Sequence, residues 1–117
     1  MVASKIYDTL VDCIKRGAHV DLTLLSEERI SRFRAHDIVA PKGIQLLPNA
    51  DEAKVRGIVW PDRGPRYDRS IRLQEIKEVQ NEDLLPYIPE PAFFVRNPVP
   101  RDWVQVHVAT NPPKYLG

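Results

Sequence analysis

The chain has 117 residues, the size of one domain, and its 43% hydrophobic and 28% charged content matches folded globular proteins, which excludes wholesale disorder. Its 17 basic and 16 acidic residues leave a formal charge of +1, which excludes a general polyanion binder but not a local basic patch. A single cysteine, Cys13, excludes an intrachain disulfide, and the lack of a long apolar run or a leader-like start predicts a soluble cytoplasmic protein with no membrane role.

Residues 4–16 predict an amphipathic helix. Ser4 stands as its cap, Ile6, Tyr7, Leu10, Val11 and Ile14 recur at helical spacing, and Gly17 supplies a left-handed stop. The period then changes to two: Val20, Leu22 and Leu24 alternate with His19, Asp21 and Thr23, as in a half-buried strand. Residues 26–35 allow either a helix or a turn followed by a strand. The strand is preferred, with Ile30, Arg32 and Arg34 opposite Ser31, Phe33 and Ala35.

Pro41-Lys42-Gly43 predicts a turn, Ile44 to Leu47 a short apolar run, and Pro48 to Asp51 a second turn. Val55 to Trp60 is a strand ended by Pro61. Ile71, Leu73, Ile76 and Val79 form a further strand, with a kink or 3₁₀ turn at Gln74-Glu75. Residues 84–117 change texture. Seven of the 11 prolines lie after residue 85 and exclude long regular elements, yet Tyr87, Phe93, Phe94 and Trp103 are too apolar for a free tail. Trp103 to Val108 alternates as a strand. The expected organisation is a helix and small barrel over 1–83. A proline- and aromatic-rich arm over 84–117 then packs on that barrel or on a neighbouring subunit, where it can dock a protein partner.

The blocks Val20-Asp-Leu-Thr-Leu24, Ile30 to Val39 and Ile71-Arg-Leu-Gln-Glu-Ile-Lys-Glu-Val79 resemble Sm-like and SH3-like barrels. Arg34-Ala-His-Asp-Ile-Val-Ala40 is similar in texture to the Rof family of Rho-termination inhibitors. The resemblance spans residues 5–80. It implies a mainly-β (α+β) binding module, often oligomeric or acting on a nucleic-acid machine, and no reaction.

One stretch carries recognition chemistry. From Trp60 to Arg72 the chain places Arg63, Arg66, Arg69 and Arg72 among Trp60 and Tyr67. Guanidinium groups hold phosphates through paired donors, and aromatic faces stack unpaired bases. The competing reading is a solvated hairpin whose arginines pair with Asp62, Asp68, Glu75 and Glu78. Arg32 and Arg34 would share a strand face and extend the patch.

Catalytic and metal signals are absent from the pattern. His19, His36, His107 and Cys13 show no close ligand spacing, so no metal or cofactor is expected. Asp37 reads as a turn or cap residue, Cys13 as a small core side chain, and the acid pairs as wet turns. With five glycines there is no phosphate-cradling loop. The expectation is a non-enzymatic, self-assembling binding protein for nucleic acid or another anionic ligand. The alternative is a subunit of a larger, for instance phage-type, assembly docking through its arm.

Overall fold

The apolar stripe of the first helix closes as expected. Helix α1 runs Ala3–Arg16 and buries Ile6, Tyr7, Leu10, Cys13 and Ile14. Gly17 adopts φ 69°, and the Ala18 amide bonds back to the Cys13 carbonyl at 3.0 Å, which satisfies an orphan carbonyl of the last turn. Ser4 lies one residue inside the helix rather than ahead of it. The structure is a computed structural model that describes residues 3–42, 52–61, 63–83, 94–95, 99–108 and 114–115. The expected elements at 43–51 lie outside those residues, as does most of the proline-rich segment, including Tyr87 and Phe93.

Strand β1 is His19–Leu24, with Val20, Leu22 and Leu24 buried in strict alternation. A turn with Glu27 at φ 72° leads into β2, Arg29–Pro41, so the ambiguous segment is turn and strand. Strands β3 (Lys54–Val59) and β4 (Tyr67–Arg72) form a hairpin. A 3₁₀ turn at Leu73–Glu75 then opens β5 (Ile76–Asp83). That turn is held from both sides: the Leu73 amide bonds to the Ala53 carbonyl at 3.0 Å, and the Glu75 carbonyl accepts from Leu25 at 2.8 Å. Two short elements follow, β6 at Phe94–Val95 and, after β7 at Trp103–Val108, β8 at Lys114–Tyr115; β6 and β8 pair with each other in parallel.

The main sheet has six antiparallel strands in the order β4-β3-β2-β1-β5, with β7 also on β2. It does not close. Among the described residues no ladder joins β4 to β5, because the 3₁₀ turn carries the chain between the two sheet ends without pairing them. The expected small β-barrel is therefore seen in part: one helix and a mainly-β antiparallel sheet, which among the described residues is not closed. Strand β2 organises it. Thirteen residues give it room for β3 along one side, and for β1 on its first half and β7 on its second half along the other.

Two irregularities bend β2. The pairing of Val20 with Phe33 slips to Leu22 with Ile30, and Arg32 between them has φ 54°. A second slip lies between Ala35 and Asp37. Each inserts a residue, bends the strand and changes which side chains face inward. Hence Ile30 and Phe33, three residues apart, both enter the core.

Phe33 is fully buried against Gly57 on β3. A Cβ at Gly57 would meet the Arg34 carbonyl and come within 2.6 Å of the Phe33 ring. Gly57→Ala is expected to destabilise by about 1–3 kcal/mol through overpacking, read as a lower urea midpoint. An unchanged midpoint would show that the ring has room to yield. Among the described residues no helix is long and apolar enough to cross a membrane.

Candidate functional site

Strand β3 shares its side chains between two faces. Val55 and Val59 join the helix-packed core, and Lys54, Arg56, Ile58 and Trp60, which alternate with them, fall on the other side. Trp60 follows the last residue of β3, and its amide bonds to the Arg32 carbonyl at 3.2 Å, which prolongs the β2–β3 pairing by one step. The indole lies between two groups. His19, at the start of β1, stands 5.5 Å away centroid to centroid, and the Arg66 guanidinium lies 4.8 Å over the ring. Trp60 is half-buried, and its Nε1 makes no hydrogen bond among the described residues.

Arg32 is exposed beside this group, its amide donating to Asp21 Oδ1 at 3.0 Å. The positive φ that aims Arg32 outward is the bulge described above. Arg63, Arg66 and Tyr67 are exposed on the loop and the start of β4. His19, Arg32, Trp60 and Arg66 thus gather at one end of the sheet from β1, β2, β3 and the β3–β4 loop.

Three arginines of the expected patch lie elsewhere. Arg34 is buried, because the bulge at Arg32 separates the two side chains that strict alternation would put on one face. Arg69 forms a two-pronged bond with Glu28 of the β1–β2 turn, at 2.8 Å for each nitrogen. This bond holds the Glu28 carboxyl below its ordinary value and raises the Arg69 guanidinium. The expected partners of the loop arginines were acids near them in sequence. The fold instead supplies one 41 residues away. Arg72 stands at the far end of β4, opposite Lys54 in register.

A buried polar row was missed in the sequence. Asp37 is fully buried on β2, directly across from Arg56 on β3. Arg56 Nε donates to Oδ1 at 2.8 Å and Nη2 to Oδ2, and Gln105 Nε2 of β7 adds a bond to Oδ2 at 2.8 Å. Burial alone would raise the Asp37 carboxyl; these donors outweigh it and hold the group below its ordinary value. Asp37 is therefore a structural anion inside a strand, not a turn or cap residue. His36, beside it, is buried at 3% exposure, and that desolvation lowers its pKa to about 4.

Among the described residues no three of His, Cys, Asp and Glu come together to hold a metal ion. Cys13 is sealed in the core at 1% exposure. At the end of the sheet opposite Trp60, a cleft of about 360 Å³ is lined by Pro41, Glu52, Lys54, Arg72, Gln74 and Trp103. Here the fold joins Arg72 of the basic stretch to Trp103 of the C-terminal segment, two residues singled out in the sequence for separate reasons. Trp103 pairs with Pro41 of this chain's own β2. Phe94 lies in β6, opposite Lys114 in register.

Comparison with known proteins finds no matching family model, no matching curated protein and no matching solved structure.

Proposed function

We propose that this chain is a non-enzymatic, cytoplasmic nucleic-acid-binding protein that takes an unpaired strand across the His19–Arg32–Trp60–Arg66 end of its sheet. One observation carries the reading: an exposed arginine stacked over a half-exposed indole, with Arg32 beside it and a histidine on the ring's flank. Bases stack on such rings whatever their sequence, and guanidinium groups neutralise the backbone.

The reading as an Sm-like or SH3-like module is supported by the helix ahead of the sheet, the strand order β5-β1-β2-β3-β4, and the 3₁₀ turn between the last two strands of that path. The proposal includes self-association. Its support is that β7 exposes Val104 and Val108, at 37% and 46%, on a strand whose pairing partner among the described residues is β2. The same observation favours the second reading, a protein-docking subunit that uses this C-terminal strand.

The test is a titration of labelled single-stranded RNA and DNA at two salt concentrations. Affinity should fall steeply with salt, because phosphate contacts release counterions. Trp60→Ala should cost about 1–3 kcal/mol, the worth of one stacked base. Arg66→Ala should flatten the salt dependence by about 0.7 of a log unit per decade for each phosphate lost. No binding at low salt, or equal binding by both variants, would refute the nucleic-acid reading. Size-exclusion chromatography of Val104→Glu then decides whether β7 holds copies together.

A further inference from the structure

The register sets up an electrostatic conflict at the cleft end of the sheet. Lys54 on β3 and Arg72 on β4 are directly opposed, so two cations project side by side. Like charges directly opposite on a sheet are destabilising. Among the described residues neither side chain forms an ion pair. The Lys54 Nζ instead lies 5.0 Å from the centroid of the Trp103 ring, which β7 brings beside it through the pairing of Trp103 with Pro41.

Arg72 is exposed and Trp103 half-buried, so both a guanidinium and an indole open onto the space between them. Glu52 and Gln74 complete the rim with an acceptor and an amide. A space of about 360 Å³ falls at the small end of ligand-binding clefts. The matching ligand is a planar ring joined to an anion.

We infer that this cleft is a nucleotide site. Arg72 and Lys54 hold one phosphate between them and so relieve their mutual repulsion, Trp103 stacks the base, and Gln74 and Glu52 meet the base edge. A free nucleotide and a nucleotide within a strand present the same chemistry. The cleft and the Trp60 end are separated by the length of β3, about 20 Å, so a mononucleotide cannot reach both and a strand can. The inference stands on the Lys54–Arg72–Trp103 geometry and does not require the Trp60 surface to bind anything.

The experiment uses the full chain with Trp60→Phe, which leaves Trp103 as its one indole. Adenosine 5′-monophosphate, adenosine and a single-stranded oligonucleotide of about 8 nucleotides are titrated while Trp103 fluorescence is followed. The nucleotide should quench saturably, adenosine at least about tenfold more weakly, and an Arg72→Gln/Lys54→Gln variant should lose about tenfold or more in affinity for the nucleotide, in keeping with charge-assisted phosphate contacts. Circular dichroism of that variant confirms that it folds. Tighter binding of the oligonucleotide than of the mononucleotide identifies a station on a strand; equal or weaker binding identifies a free nucleotide as the ligand. The inference is overturned if neither phosphate-bearing probe quenches saturably, or if the double variant binds them unchanged. Loss of oligonucleotide binding in Trp60→Ala with nucleotide quenching intact would separate the two surfaces.

Discussion

Asp37→Ala is expected to destabilise the fold by about 3–5 kcal/mol, the cost of breaking a buried ion pair by removing one of its members. The residue is fully buried and receives both prongs of Arg56 and the Gln105 amide. Removing it takes from the Arg56 guanidinium, itself only 4% exposed, the carboxylate that accepts both its prongs. Against a total stability of about 5–15 kcal/mol for a domain, such a loss is a large share. The double variant Asp37→Leu/Arg56→Met removes both charges and keeps apolar volume, so it should recover most of the loss. Urea unfolding of the parent, the single and the double variants reads the result. If the single variant costs less than about 1 kcal/mol, the pair is not the sealed ion pair of this geometry. If the double variant is no better than the single one, the loss is one of packing rather than of unpaired charge.

Stability should also fall as the pH is lowered from about 6.5 to about 4, with His36 alone contributing about 3 kcal/mol. His36 takes up a proton at its ordinary value of 6.5 when unfolded but only at about 4 in the fold. Burial is the main cause; the neighbouring Asp37 carboxylate opposes it in part, while the Arg56 and Arg34 cations add to it. Between these values the unfolded chain binds more protons than the folded one. Acid therefore favours unfolding, and the contribution is complete above the ordinary value. His107 is lowered by burial and by Lys15, and adds a loss of the same sign. Asp37, held below its ordinary value, contributes only at lower pH. Urea midpoints measured from pH 7 to pH 4 should decline in the parent and much less in His36→Gln. A flat parent profile, or an equal decline in His36→Gln, would remove His36 as the cause.

Local chemistry made several elements legible. The stripe Ile6, Tyr7, Leu10 and Ile14, ended by Gly17, specifies a helix because both the apolar spacing and the stop are contained within it. The alternation of Val20, Leu22 and Leu24 specifies β1, and that of Trp103 to Val108 specifies β7. The kink at Gln74-Glu75 is the 3₁₀ turn Leu73–Glu75, but it divides the one strand expected from Ile71 to Val79 into β4 and β5, at opposite ends of the sheet path. Trp60 and Arg66 were legible as members of one arginine–aromatic stretch, while the stacking of Arg66 over the indole came from the fold.

Amino-acid sequence alone determined the helix, the alternating strands, the apolar identity of the core and the arginine–aromatic content of one loop. Each of these depends on a period or a turn residue within a few positions. Tertiary structure decided which charges are wet. The bulge at Arg32 sends one arginine out and buries Arg34, and strand register sets Asp37 against Arg56 and Lys54 against Arg72. The fold likewise brings Glu28 to Arg69 across 41 residues and Trp103 to the rim of a cleft begun at Pro41. The physical reason is that a side chain's face follows from the register summed along its strand, and one inserted residue reverses it. Ion pairing then depends on which strands become neighbours, a property of the sheet and of no single segment.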